Sequence, residues 1–191
     1  LSSALAFDKD MSRQIFQTQG LPIAPGMVVD MENLTSASLP LSFPCVLKPL
    51  QEGSSLGVSI RKPTTDVDVA LKEWTFGPRG LLEKYIPGQE LSVALLGDKP
   101  LGVLELEVKS GFYDYAAKYT DGLTTHHMPA RISAEVYDLV MELSLKAAKA
   151  LGCEGVSRVD WRYDTNDKDG DGLYILEVNT QPGMTPLSIV P

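Results

Sequence analysis

The chain has 191 residues, 43% of them apolar, enough to bury a sizeable core as one large domain or two small ones. Its formal charge of −8 would repel a nucleic-acid backbone or an anionic membrane surface, so neither is expected as a partner and a small substrate is. Two cysteines, Cys45 and Cys153, support neither a disulfide framework nor a thiolate metal site and read as reduced thiols of a cytoplasmic protein.

The chain opens abruptly at Leu1, without a methionine, and ends on the apolar run 188–191, as expected of a piece of a longer polypeptide. No apolar run reaches the roughly 18 residues of a membrane span, and no signal-peptide pattern leads it. Asp8 is placed to cap a helix carrying Met11, Ile15 and Phe16 on one face and ended by Gly20, after which a short strand is predicted over 27–29. The run Pro44-Cys45-Val46-Leu47-Lys48 predicts an apolar strand, followed by a glycine-serine loop over 52–57 and a strand over 58–61. The spacing of Val67, Leu71 and Trp74 predicts a helix over 64–74, and strands follow over 81–85, 91–96 and 101–108. The aperiodic stretch 109–131, rich in Tyr, Gly, Thr and His, is expected to be a long lid loop. Ser133 caps a long helix with Val136, Val140, Leu143, Ala147 and Leu151 on one face and Gly152 just past its end. Runs over 156–163 and 173–178, joined by a polar turn, predict a hairpin packed on that helix.

Three constellations in these elements can carry chemistry. Asp160 lies in one strand of the hairpin, and Glu177 and Asn179, two apart, share a face of the other, so three oxygen ligands can converge. Magnesium is held by one or two carboxylates plus nucleotide phosphates, which suits this set. The alternative is a solvated polar face, but the flanking Val159, Trp161, Leu176 and Val178 favour the metal. Lys48 and the loop 52–57 offer charge, hydroxyls and backbone N–H groups to phosphate oxygens, although such a loop alone is more often a plain connection. Neither a Walker nor a Rossmann pattern is present. The segment 82–90 could offer backbone to an adenine edge and a carboxylate to a ribose, or be only a turn. Asp167 to Gly172 imitates half of a calcium loop, but Val178 stands where its last acidic ligand belongs, and the adjacent His126 and His127 diverge too much to share a metal.

The set Lys48, Glu52-Gly53-Ser54-Ser55-x-Gly57, Glu83-Lys84, Glu90, Tyr113-Asp114-Tyr115-x-x-Lys118-Tyr119, Arg158-Val159-Asp160 and Glu177-x-Asn179-Thr180-x-Pro182-Gly183-Met184-Thr185 resembles, in order and spacing, the D-alanine–D-alanine ligases of the ATP-grasp superfamily. The resemblance implies an α+β ATP-grasp fold, two subdomains with mainly antiparallel sheets clasping ATP, divided as 1–90 and 91–191 and lacking the family's amino-terminal domain and final helical tail. It implies that Lys9 and Lys48 hold ATP phosphates under the loop Glu52, Gly53, Ser54, Ser55 and Gly57. Glu83, Lys84 and Ile86 would meet the adenine, Glu90 the ribose, and Phe112 and Leu176 would sandwich the base. Asp160, Glu177 and Asn179 would hold two magnesium ions, with manganese as a substitute.

By the same resemblance, Arg158 and the Gly183 N–H would serve the tetrahedral oxyanion, Lys118 and Ser188 the second carboxylate, and Ser54 with Tyr119 would join loop to lid. The activity implied is the ATP-dependent joining of two D-alanines through an acyl phosphate, in a bacterial, cytoplasmic, homodimeric enzyme of peptidoglycan precursor synthesis. Two alternatives stay open: a relative making a D-alanine ester or D-alanine–D-serine, and a nucleotide-binding module without chemistry.

Overall fold

The structure, a computed structural model, describes residues 1–35, 38–61, 71, 73–108, 124–167 and 170–183. Two short helices open it, α1 (Ser2–Phe7) and α2 (Lys9–Thr18). Asp8 ends one and starts the other, its Oδ1 accepting from the backbone N–H of Asp10 at 3.0 Å and of Met11 at 3.1 Å. Those two donors have no partner within a helix, which is why an acidic residue belongs at this position. Past Gln19, Gly20 turns the chain with φ 65°, a conformation glycine adopts without steric cost.

Strands β1 (Gly26–Asp30), β2 (Cys45–Pro49), β3 (Ser59–Arg61) and β4 (Arg79–Lys84) make a four-stranded antiparallel sheet in the order β1-β4-β2-β3. Val29, Met31, Cys45, Leu47 and Leu82 form its core, covered in part by Leu71 and Trp74. The second sheet runs β7-β6-β5-β8-β9, built from β5 (Gln89–Leu96), β6 (Lys99–Val108), β7 (Thr124–His127), β8 (Val156–Tyr163) and β9 (Leu173–Asn179), all antiparallel. Helix α3 (Ala134–Ala150) packs on it and buries Val140 and Ala147 against Leu91, Val93, Val103, Val159 and Trp161. Trp161 is fully buried; its Nε1–H donates to Ser144 Oγ at 2.8 Å, and that hydroxyl donates to the Val140 carbonyl at 2.6 Å, so the indole has no orphaned donor.

The structure changes two expectations and leaves others outside the described residues. The supposed lid does not extend over 109–131: Thr124–His127 is a strand paired with β6, with Val108 opposite Thr124 and Glu105 opposite His127. Polar and ionic cross-strand pairs hold it, His127 with Glu107 at 2.7 Å and Arg131 with Glu105 at 2.8 Å, so it lacks an apolar alternation. Residues 109–123, with Phe112, Lys118 and Tyr119, lie outside the described residues, as does Ser188. Residues 64–70 and 72 of the helix predicted over 64–74 lie there too. Secondly, a division at residue 90 separates the sheets but not the opening helices. Ala6, Phe16 and Leu21 belong to the core of the second sheet, and Ile175 N–H donates to the Pro22 carbonyl at 2.9 Å.

Candidate functional site

The two sheets flank an open cleft lined by residues of both. One wall comes from the first sheet. Lys48 on β2 and Arg13 on α2 both pair with the buried carboxylate of Glu83 on β4, and Arg13 Nη2 also donates to the Ala24 carbonyl at 2.9 Å. Glu83 thus fixes where the Lys48 ammonium sits. Gly26, opposite Glu83 on β1, makes room for this, since a Cβ there would lie 2.8 Å from Glu83 Cγ.

The loop 52–57 is anchored at its root. Lys9 Nζ donates to the Glu52 carbonyl at 2.6 Å, and Gln51 Nε2 to Asp8 Oδ2 at 2.7 Å. Ser54, Ser55 and Gly57 take φ of 52°, 59° and 70°, and a Cβ on Gly57 would collide with Phe76 and Pro49. Left-handed backbone at two serines costs on the order of 1–2 kcal/mol per residue, and such turns can aim successive N–H groups into one concavity. Burial holds the Lys9 ammonium below the ordinary lysine range; Glu177, Glu83 and Glu52 act against that shift and Lys48 acts with it.

The opposite wall is a polar row across the second sheet. Register places Ser92 of β5 opposite Asp160 of β8, and Asp160 opposite Glu177 of β9. Ser92 Oγ donates to Asp160 Oδ1 at 2.6 Å, and Arg158 grips the same carboxylate through Nε at 2.8 Å and Nη2 at 2.7 Å. Asn179 Nδ2 donates to Asp160 at 3.0 Å and to Glu177 at 3.3 Å; half a turn of that amide would aim its carbonyl oxygen there instead. A bulge sets Leu176 as the extra residue of β9, so that Leu176 and Glu177, adjacent in sequence, both line the cleft.

Between the sheets runs the connection 85–88. Tyr85 N–H donates to the Pro44 carbonyl at 3.1 Å, and Ile86 is buried. Arg162, on the same face of β8 as Arg158 and Asp160, reaches back to this connection. On the far side of Lys9 and Glu177 a second hollow opens, lined by Asn179 and Gln181 and sharing Glu52 with the cleft.

A family model for the D-ala D-ala ligase C-terminus matches residues 15–191. The chain belongs to the D-alanine–D-alanine ligase family. It is 48% identical, over its whole length, to the D-alanine–D-alanine ligase of Sphingopyxis alaskensis, of which it covers 63%. Among solved structures it resembles the D-alanine–D-alanine ligase of Bacillus anthracis, at a TM-score of 0.80, 33% identity and coverage of 99% of this chain and 61% of that one. It equally resembles the VanG D-Ala:D-Ser ligase of Enterococcus faecalis, at a TM-score of 0.80 and 34% identity, over all of this chain and 57% of that one. The chain therefore spans about three fifths of the length of the curated relatives it matches, and its fold is the α+β ATP-grasp fold of that family.

Against this family pattern, the cleft brings together Lys9, Lys48, Glu52, Ser55, Glu83, Lys84, Ile86, Glu90 and Leu176 with Asp160 and Glu177. Asn179 lies beside both carboxylates, while Gly53 lines the second hollow and Gly183 is exposed just past it. Arg13, Ser92 and Arg162 were not legible as site residues. The period-two row Arg158, Asp160, Arg162 was a signal for the last of these; the other two depend on register and helix placement.

The donors fit magnesium. Among the described residues no three His, Cys, Asp or Glu side chains cluster as a self-sufficient metal site. What is present is two carboxylates and an amide, hard oxygen donors suited to an ion that completes its shell with water and phosphate.

Proposed function

We propose that the full-length protein carrying this chain joins two D-alanines to D-alanyl-D-alanine at the expense of ATP, as a cytoplasmic, homodimeric enzyme of bacterial peptidoglycan precursor synthesis. The observation that carries the reading is the row Ser92, Asp160, Glu177, with Asn179 beside it, in the same cleft as Lys9 and Lys48. Acids and ammonium groups on opposing walls suit a nucleotide triphosphate with its dication. One solved relative, at a TM-score of 0.77, is the Bacillus anthracis ligase complexed with ATP.

In this reading Lys9 and Lys48 hold phosphates beneath the loop Glu52, Gly53, Ser54, Ser55 and Gly57. Glu83, Lys84, Ile86, Glu90, Leu176 and Phe112 surround the nucleoside. Asp160, Glu177 and Asn179 hold magnesium, which when bound supplies positive charge beside the phosphate oxygens. The first D-alanine carboxylate attacks the terminal phosphorus and ADP leaves. The second D-alanine, its ammonium deprotonated, forms a C–N bond to the carbonyl carbon of the resulting acyl phosphate and gives a tetrahedral oxyanion; the oxyanion collapses, the C–O bond to phosphate breaks, inorganic phosphate leaves and the nitrogen gives up its extra proton to solvent. Gly183 N–H and Arg158 serve that oxyanion, and the grip of Arg158 Nε and Nη2 on Asp160 sets where its guanidinium sits. Lys118 and Ser188 take the acceptor carboxylate, and Tyr119 joins Ser54 in closing the loop. The hollow bordered by Lys9, Glu177 and Gln181 is the side from which amino acid substrates approach.

The VanG likeness gives a second reading, with D-serine as acceptor. An assay for ADP formation by the full-length protein separates the two. D-alanine alone is expected to sustain turnover; ADP formed only when D-serine or D-lactate is added would replace the reading, and no substrate-dependent ADP at all would leave a nucleotide-binding module.

A further inference from the structure

Arg162 reaches from β8 to the connection between the sheets with every part of its guanidinium engaged. Its Nε donates to the Ile86 carbonyl at 3.1 Å, Nη2 to the Gly88 carbonyl at 2.8 Å and Nη1 to Glu90 Oε2 at 3.3 Å. Its charged carbon lies 5.9 Å from the centroid of the Tyr85 ring. The connection is also pressed against β8, since Gly88 has φ 93° and a Cβ there would collide with the Tyr163 carbonyl. Ile86 and Glu90 line the cleft, so their positions in it follow from where Arg162 holds one by its backbone and the other by its carboxylate. A planar fork of fixed donors can serve three acceptors at once, which a lysine ammonium on a flexible stem does not do.

Resting on the nucleotide reading above, we propose that Arg162 is a positioning residue that sets the nucleoside end of the cleft. By fixing the backbone over 85–90 it presents one pattern of donors and acceptors to the base, and so determines both affinity for ATP and preference for adenine over guanine. It acts through Ile86, Gly88 and Glu90, without needing to touch the reacting phosphate.

Equilibrium titration of the full-length protein with ATP and with GTP, without amino acid present, tests this. Arg162→Met is expected to weaken ATP about 10-fold, the loss that about one to two net hydrogen bonds represent, and to reduce the ATP-over-GTP preference by a similar factor. In turnover the KM for ATP rises by a comparable factor while kcat at saturating ATP stays within about twofold, the sign of lost uniform binding. Arg162→Lys, which keeps the charge beside Glu90 and disturbs folding least, is expected to lose most of the same affinity and preference. An Arg162→Lys protein with unchanged ATP affinity and base preference overturns the proposal and leaves the nucleotide reading standing. Equal weakening of ATP and GTP overturns it as well, because that is general loosening. Wild-type protein that binds no ATP overturns the nucleotide reading itself.

Discussion

Asp160 takes its orientation from side chains on its own strand and on both neighbours. Arg158 neutralises it, Asn179 bridges it to Glu177, and Ser92, fully buried, donates from below. A buried carboxylate is tolerated only with such partners, and the same partners hold it in one rotamer. Removing Ser92 leaves that carboxylate short of one charge-assisted hydrogen bond. Ser92→Ala is therefore expected to cost about 2 kcal/mol in urea denaturation and to weaken magnesium-dependent ATP binding. An unchanged denaturation midpoint would show that Ser92 does not support Asp160. That Glu177 and Asn179 share a face was readable from period-two spacing, and a hairpin was expected to bring Asp160 near them; their alignment came from the register of β8 on β9. Ser92 was not readable, because only the register of β5 on β8 brings it opposite Asp160. Arg13 was hidden for a similar reason: its helix reads as amphipathic, and nothing in that pattern tells that this residue reaches Glu83 on another element.

At the scale of elements, hydrophobic periodicity located α2, α3 and the apolar strands, and missed the short helix α1 and the strand whose partners are ionic. Strand β7 is joined to β6 through Glu105, Glu107, His127 and Arg131, groups that read as loop residues when only apolar alternation is sought. Hydrogen bonds from Arg131, and further ones from Gln89, hold the Glu105 carboxyl down at about 2 against the opposing effect of its burial. Because the folded value lies below the ordinary 4.5, the stabilisation is complete above pH 4.5 and is lost as pH falls toward 2. Arg131 is half exposed, so screening limits the gain to about 1–2 kcal/mol. Thermal melts of Glu105→Gln should thus show a lower Tm than wild type at pH 7 and a difference that shrinks below pH 4.5. A constant difference across that range would contradict the ion-pair account. Within α3, Ser144→Ala orphans the buried indole N–H of Trp161 and should cost about 1–3 kcal/mol in the same melts. A Tm equal to wild type would refute that bond's contribution.

For the molecule as a whole, the two sheets and the opening helices make a clamp whose inner surfaces carry charges of both signs. The first sheet brings Lys48, locked by Glu83; the second brings Asp160 and Glu177; and Lys9, at the start of α2, joins the helices to the loop 52–57. The motifs disclosed this clamp as a list of residue types, while the packing of α1 and α2 on the second sheet required the three-dimensional core of Ala6, Phe16 and Leu21. The most direct test is ADP formation from ATP and D-alanine by the full-length protein and its Glu177→Gln variant, with circular dichroism to confirm an unchanged fold. Loss of one charged metal ligand is expected to reduce turnover by at least about 100-fold. Turnover near the wild-type rate would contradict the assignment of Glu177, and with it the metal-nucleotide site on which the account stands.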